Sequence, residues 1–369
     1  MKPEIASLLA SADLRAWQEI GVEYGRGEIA VRVPPGCRTL GMREARPLHD
    51  PRGAIREAIA RPLGSPPLRD LVRAKGRDPA TLAVCIATSD ITRPVPYRGE
   101  NGILGPLLDA LHQAGIRREN VTLLVGTGTH RPSTAEEKVA MFGPDVAGAY
   151  RVADHACDDE AMLAPVGRTR SGTEIRVNRL FVEADLKIAT GLVESHFMAG
   201  VSGGRKAVCP ALVSRDTIER FHSARFLDSP LATNLVLGGN PCHEEALEIA
   251  RRVGVDFAVN TVLDRRLALV GVHAGDLEAS HLAAYRQVRE FVAVEVEEEH
   301  DIVLTHGGYV GLNHYQNAKA ACNALPAVRE RGFVILAARE RDRDPIGPVT
   351  YRTLLHLLKL QGWERYLKA

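Results

Sequence analysis

The 369-residue chain has no cysteine pair spaced as CxxC. Its six cysteines, Cys37, Cys85, Cys157, Cys209, Cys242 and Cys322, are scattered, which argues against a structural zinc site and for a reducing compartment. A charge excess is lacking too: 47 lysines and arginines face 46 aspartates and glutamates, a formal net charge of +1, with both signs spread along the chain. That excludes the basic footprint expected of nucleic-acid or anionic-membrane binding. No apolar run approaches the ~18 residues of a membrane span, and no internal repeat or low-complexity segment occurs. The opening stretch, MKPEIASLLASADLR, carries a lysine and a short apolar patch after Glu4, which is marginal for the roughly 7 to 15 apolar residues of a secretory signal. A short N-terminal helix is expected there, and a soluble, cytoplasmic protein.

What is present is a series of strand-length apolar runs bounded by Gly, Pro, Asp or Ser: IAVRVP (29–34), LAVCIAT (82–88), VTLLVGT (121–127), DLKIATGLV (185–193), FAVNTVLD (257–264), DIVLTH (301–306) and GFVILAA (332–338). Their continuous rather than alternating apolar character predicts sheets covered on both faces. Between them GPLLDALHQAGI (105–116), HEEALEIARRVG (243–254) and HLAAYRQVREFVAVEVE (281–297) have apolar positions at helical spacing. Strand and helix alternate, so the expected fold is α/β, with mostly parallel sheets flanked by helices. The length suits two domains of roughly 100 to 200 residues. A boundary is expected where FAVNTVLD gives way to the charged DRR, dividing the chain into 1–268 and 269–369, with the active site in the cleft between them.

In open α/β sheets ligands sit at the carboxyl ends of strands, so the segments just after the strands carry the candidates. After LAVCIAT comes SDITRPVPYR, where Pro94 and Pro96 keep a helix from starting and leave Asp90, Thr92, Arg93 and Arg98 on an extended loop. Arg93 is a guanidinium fork suited to a carboxylate or phosphate; the bland alternative is a solvated surface arginine. After VTLLV comes GTGTHRPSTAEE, with Gly126 and Gly128 for a tight turn. A capping box, Ser133 with Glu136 or Thr134 with Glu137, starts a helix whose N-terminus is a natural anion site. His130 stands between turn and helix. After DLKIATGLV comes ESHFMAGVSGGRKAVCP, which looks like a phosphate loop without its Ser or Thr: Arg205 occupies the place of the second glycine and Ala207 follows Lys206. A magnesium-triphosphate site is therefore disfavoured. Lys206 remains open to three readings: a phosphate contact, a nucleophile activated by the charge of Arg205, or a solvated loop lysine. Further on, His222 lies in RFHSARF, and Tyr315, Gln316 and Lys319 share one face of a helix.

Taken in order, SDITRP, GTGTHRP, ESHFMAGVSGGRK, His222 and GGYVGLNHYQNAK resemble the lactate racemase family, the nickel-pincer-nucleotide racemases and epimerases of 2-hydroxy acids. The resemblance spans roughly residues 22 to 325, from EYGRGEIAVRVP onward. It implies that Lys206 is bound covalently, through a thioamide, to a pyridinium mononucleotide, and that His222 completes the coordination of nickel. It makes His130 and His196 the two acid/base histidines and sets Arg93, Tyr315, Gln316 and Lys319 at the substrate's carboxylate and hydroxyl. Asp90, Thr92, Gly126, Gly128, Ser202, Gly203 and Gly204 are expected to line the cofactor.

The implied reaction inverts C2 of a 2-hydroxy acid by reversible hydride transfer, with two histidines serving opposite faces. Their ordinary pKa near neutrality suits both directions, imidazole is a good nickel ligand, and the redox step belongs to the cofactor. The implied partners are a small-molecule substrate and maturation enzymes that load the cofactor. One departure stands out: Val310, Gly311 and Leu312 occupy positions where a lactate racemase is expected to have a proline and an acidic residue, which puts lactate itself in doubt. Trp363 is the only C-terminal tryptophan that could cover the nickel. Two competing classes are a kinase-like nucleotide-binding enzyme and a non-catalytic nickel- or cofactor-binding protein.

Overall fold

The computed structural model describes residues 13–308, 311–347 and 349–368. Most of the expected N-terminal helix therefore lies outside the described residues, and Leu14–Ala16 is a single 3-10 turn. The strands begin with an antiparallel ribbon, β1 (Gln18–Tyr24) and β2 (Gly27–Val33). Next come β3 (Val84–Ser89), β4 (Val121–Gly126) and β5 (Arg151–Asp154), then a hairpin of β6 (Leu163–Arg168) and β7 (Glu174–Asn178). β8 (Leu186–Leu192) is followed by a miniature hairpin, β9 (Ser195–His196) with β10 (Gly200–Val201). The last four are β11 (Phe257–Leu263), β12 (Leu269–Gly275), β13 (His300–His306) and β14 (Val328–Ala337).

These elements fall into two compact units, Met42–Ala293 and the described parts of Met1–Gly41 with Val294–Ala369. The larger unit is built on a six-stranded sheet of order β12-β11-β8-β3-β4-β5. Every pairing in it is parallel except the edge pair β11 with β12. The continuous apolar runs become its central strands because both faces are covered. Ile86, Leu123, Ile188 and Val259 pack with Ile55, Ile59, Leu104 and Leu107 from helices Pro51–Ala60 and Leu104–Gln113. The intervening residues Cys85, Ala87, Leu124, Ala189 and Ala258 point the other way, towards Phe181, Val208, Phe221 and Ile249, as the two-residue period of a strand requires.

The division expected at residue 268 falls inside this unit. The charged DRR is a hairpin turn in which Asp264 Oδ1 accepts from the backbone N–H of Arg266 and of Ala268, and β12 then returns antiparallel along β11. The helix Leu277–Val292 starts at Asp276, whose carboxylate accepts from the N–H of Glu278 and Ala279. It stops five residues short of the expected end, where the chain changes unit. The helix expected at 243–254 spans Pro241–Val253, capped by Asn240 and ended by Gly254 in the left-handed region.

In the smaller unit β13 and β14 pair in parallel, and Tyr24, at the end of β1, bridges to Gly308. Helix His314–Ala324 begins at Asn313, whose side chain accepts from the N–H of Gln316.

Gly275 is where β12 passes Leu63. Its φ is +132°, and a Cβ there would lie 2.2 Å from the Leu63 carbonyl oxygen and 2.5 Å from its nitrogen. Backbone cannot give way as a flexible side chain can, so Gly275→Ala is expected to cost about 3 kcal/mol. Urea denaturation measures this; an unchanged midpoint would show that the crossing tolerates a methyl group.

Candidate active site

Because β8, β3 and β4 are neighbours and parallel, the loops leaving their carboxyl ends emerge side by side. Ser89 pairs with Gly126 at the end of β3 and β4. Tyr97, buried, anchors the first loop by accepting the N–H of Ser89 at 2.6 Å while its hydroxyl lies 3.1 Å from that of Thr190 on β8. Asp90 is 7% exposed. Its Oδ1 accepts the hydroxyl and the N–H of Thr92, at 2.6 and 3.2 Å, and its Oδ2 lies 2.6 Å from His130 Nδ1. A carboxylate only accepts, so Nδ1 of His130 carries the proton and its Nε2 holds the lone pair in the neutral ring. Burial raises the Asp90 pKa, but the hydrogen bonds from His130 and Thr92 outweigh it and keep the carboxyl below its usual range.

His130 follows a turn closed by its own N–H on the carbonyl of Thr127. Of the two capping boxes open to the sequence, Thr134 with Glu137 is the one formed, and Arg131 binds the Glu137 carboxylate through both oxygens. This helix N-terminus is thus filled by its own side chains and is not the anion site the sequence suggests. A cavity of about 80 Å³ lies beside His130, lined by Asp90, Ile91, Thr92, Arg131, Ser133 and Glu137. A larger one, about 550 Å³, lies against helices Pro51–Ala60, Leu68–Ala74 and Leu104–Gln113 and holds none of the expected site residues.

The third loop links to the first through Arg93, whose guanidinium is 3.3 Å from the Glu194 carboxylate. His196 Nδ1 accepts the N–H of Met198 and Ala199, both at 3.3 Å, which puts the proton of its neutral ring on Nε2. Ser202, expected to line a cofactor, instead ties the loop together: its hydroxyl donates to the Leu192 carbonyl and accepts the Glu194 N–H. Gly203 and Gly204 have φ of +72° and +51°, and a Cβ on Gly204 would meet the His281 ring at 2.7 Å. They turn the chain into the 3-10 turn Gly204–Ala207, which carries Lys206.

The Lys206 amine makes no hydrogen bond or ion pair among the described residues and lies 5.5 Å from the centre of the Phe221 ring. Burial first, then the charges of Arg205 and Arg93, bring its pKa down to about 7. Phe221 also meets His222 edge-on at 5.0 Å, so the lysine and this histidine share one aromatic neighbour. His222 ends helix Arg215–Phe221, and its Nδ1 donates to the Ile218 carbonyl at 2.9 Å. In the neutral ring Nε2 then keeps the lone pair that a metal needs.

The larger unit thus brings together Asp90, Thr92, Arg93, His130, His196 and the Lys206 turn, with Gly126 and Gly128 at the end of β4. Tyr315, Gln316 and Lys319 lie on helix His314–Ala324 of the smaller unit. There the expected grouping on one helical face is present: Lys319 Nζ donates to Gln316 Oε1 at 2.8 Å and sits 5.3 Å from the Tyr315 ring centre. Leu312 is exposed, as is Trp363, and Val310 lies outside the described residues. Sequence reasoning missed Glu194, Asn260, whose Oδ1 accepts the Gly204 N–H, and His281, which sits against Arg205. No local signal marks them, because their partners are 101, 56 and 76 positions away in turn.

The lowered lysine has a stability consequence. The amine keeps its proton to about 10.5 when unfolded but only to about 7 in the fold. Between those values the unfolded chain binds more protons, so the stability linked to this residue rises with pH. Lys206→Met is therefore expected to stabilise the protein at pH 7, with a gain that shrinks as pH approaches 10.5. Thermal melts across that range test this; a gain independent of pH would contradict it.

Residues 24–234 match the family model of the lactate racemase N-terminal domain. The chain is 35% identical over 289 residues to the lactate racemase of Lactiplantibacillus plantarum, covering 78% of this chain and 66% of that protein. It is 31% identical over 335 residues to the lactate racemase of Thermoanaerobacterium thermosaccharolyticum, covering 88% and 75%. The structure of the T. thermosaccharolyticum lactate racemase apoprotein superposes with a TM-score of 0.77 at 32% identity, over 86% of this chain and 74% of that one. A Thermotoga maritima protein shares the fold at a TM-score of 0.58 and 20% identity, over 86% and 81%. The chain spans just under two thirds of the length of the L. plantarum relative and about three quarters of the T. thermosaccharolyticum one. With more than half of its length matched by the family model and these relatives above 30% identity, the chain belongs to the lactate racemase family.

Proposed function

We propose that the protein is an isomerase, a racemase or epimerase that inverts C2 of a 2-hydroxy acid with a nickel-pincer nucleotide tethered to Lys206. The observation that carries this reading is the Lys206 amine: partly buried, with no hydrogen bond or ion pair among the described residues, and brought down to about 7. Such an amine is largely neutral near pH 7 and is suited to form a covalent bond. The donor set fits the same group. Among the described residues no three His, Cys, Asp or Glu side chains assemble into a metal site. A single imidazole, His222, suits a nickel ion that arrives with its other donors on an organic ligand. When bound, that group would supply the acceptor for the hydrogen on C2, which is far too weakly acidic for an imidazole to remove as a proton.

The remaining work falls to side chains. His130, its Nδ1 proton held by Asp90, presents a lone pair at Nε2 that takes the substrate's hydroxyl proton, and the Asp90 carboxylate stabilises the imidazolium that results. His196 serves the other face. Its resting tautomer carries the proton on Nε2, so it acts as a base only after that proton has moved, and the two histidines start from different states. Arg93 binds the substrate carboxylate; in the smaller unit Tyr315, Gln316 and Lys319 offer a phenol, an amide and an ammonium on one helical face, a group suited to an oxygen-rich acid. The sequence Val310, Gly311 and Leu312, in a segment where a proline and an acidic residue were expected, extends the substrates to be screened from lactate to longer, bulkier and more polar acids, sugar acids among them. A kinase-like site is disfavoured by the self-capped helix after His130 and by Ala207 beside Lys206.

Produced in a host that also makes the cofactor, the protein should contain nickel and a mass adduct on the Lys206 peptide. An unmodified lysine without nickel under those conditions would sink the proposal. In the loaded protein, His130→Ala and His196→Ala should each lower turnover of single enantiomers by about 10²-fold or more while leaving the adduct in place, as read by optical rotation and peptide mass. Loss of the adduct in either variant would reassign that histidine to cofactor attachment.

A further inference from the structure

Arg205 is an unusual residue to find where it is. It is 1% exposed and is the largest fully buried side chain of the described residues, yet it makes no ion pair among them. Its guanidinium is satisfied by backbone instead. One terminal nitrogen donates to the Ala199 carbonyl at 2.6 Å, and the other reaches the Ser202 and Gly203 carbonyls at 3.5 and 3.4 Å and His281 Nε2 at 2.7 Å. Its Nε has no acceptor. Burying a cation without a carboxylate is costly, and the three carbonyls could be capped by a neutral group at less expense. Burial lowers the guanidinium to about 9, still above neutrality, so the charge persists.

His281 cannot neutralise it. Its Nε2 lies 2.7 Å from an Arg205 terminal nitrogen and 3.0 Å from the Ser202 carbonyl, and burial and the Arg205 charge hold its pKa well below the ordinary value, so the ring stays neutral. The same ring is wedged against Gly204, so arginine, histidine and glycine turn interlock. Lys206 follows directly in sequence. The titratable groups that act on its amine are Arg205 on its own turn, Arg93 on the loop after β3, and the thiols of Cys209 and of Cys242 on helix Pro241–Val253. Burial raises both thiols, Cys242 to about 11, so they stay uncharged at neutral pH and do not offset the cations. Arg93 is partly exposed and engaged with Glu194, which leaves Arg205 as the buried, uncompensated charge beside the amine.

We infer that Arg205 is a positioning residue for Lys206: it locks the 199–204 loop through three backbone carbonyls and, lacking a carboxylate, holds an uncompensated positive charge on the 3-10 turn that carries the amine. This rests on Lys206 being the covalent anchor proposed above. The charge explains why the position is an arginine rather than an apolar residue of the same length, and the fork explains why it is not a lysine.

Acetylation of the cofactor-free protein tests it. In this reaction the amine nitrogen bonds to one acetyl carbon of acetic anhydride, the anhydride C–O bond breaks, acetate leaves and the amine proton goes to solvent. The rate at Lys206 is followed by peptide mass as a function of pH, with the other lysines as internal references. The wild-type midpoint is expected near 7. Arg205→Met should move it upward by about one unit or more, while Arg205→Lys, which keeps the charge but loses the fork, should stay within about half a unit of wild type. A role confined to packing would leave the midpoint fixed. The inference is overturned by a wild-type midpoint among the other lysines, by Arg205→Met titrating as wild type, or by Arg205→Lys shifting as far as Arg205→Met. Should Arg205→Met fail to fold, Arg205→Gln, neutral but still able to donate to the loop carbonyls, takes its place: an upward midpoint supports the inference and a wild-type midpoint overturns it. Because no cofactor is involved, a normal profile here with no adduct on the protein made in the cofactor-producing host would reject the proposed function while leaving the effect of Arg205 on the amine established.

Discussion

The parallel pairing of β8 with β3 and of β3 with β4 is the constraint on which the rest of the larger unit depends. Three neighbouring strands running the same way must release their loops at the same edge, and backbone hydrogen bonds fix the register: Val84 faces both Leu186 and Val121. Residues far apart in the chain thereby become neighbours, as Tyr97 and Thr190 do across 93 positions. Each strand is apolar on both faces, so a slip by one residue would put the small Cys85 and Ala87 into the space filled by Ile86 and crowd Ile86 into the opposite layer. The core fixes the register, and the register brings His130, Arg93 and the Lys206 turn to one place.

The two charged pieces of this edge are balanced in opposite ways. Asp90 and His130 form a complementary pair, the carboxylate held ionised by donors that outweigh its burial. Arg205 and Lys206 are adjacent cations, one of them buried and without an anionic partner. Ordinary folding does not favour this, since each charge removed from water costs several kcal/mol unless it is paired. The cost is tolerable because the arginine's donors meet carbonyl oxygens and because the lysine sheds its proton near neutrality. The first arrangement is an imidazole oriented by a carboxylate; the second leaves an amine whose pKa is brought down to about 7.

Much of this was legible in the sequence because it is local. Strand-length apolar runs bounded by turn residues mark β3, β4, β8, β11 and β13, and the capping box after His130 and the shared helical face of Tyr315, Gln316 and Lys319 follow from spacing alone. What was not legible depends on long-range partners or on short, polar strands. β5, β6 and β7 are brief and mixed in polarity, and they pair only because neighbours are already in place. β12 was set beyond the boundary because a run of charge resembles a linker, yet Asp264 uses that run to close a hairpin. Glycine at 203 and 204 was visible, but the reason for it, the crowding of the His281 ring, lies far along the chain. The internal bonds of Ser202 were hidden for a related cause: a hydroxyl in a glycine loop suggests a ligand contact, and its partners in the fold, the Glu194 N–H and the Leu192 carbonyl, lie 8 and 10 positions away.

That internal use of polar groups clarifies why the loop departs from a phosphate cradle. In such a cradle the backbone N–H groups and a hydroxyl face outward to an anion and its magnesium ion. Here the Gly204 N–H is spent on Asn260, the Ser202 hydroxyl on the loop, and the helix after His130 on its own Glu137. Position 207, where a magnesium-binding hydroxyl would stand, is an alanine packed against the apolar layer beneath the sheet. The turn is stabilised from within, and the group it leaves without a hydrogen-bonding or ionic partner among the described residues is the Lys206 amine. A loop built this way holds one amine steady and spends its own donors internally, which is the physical difference between this glycine turn and the one its sequence imitates.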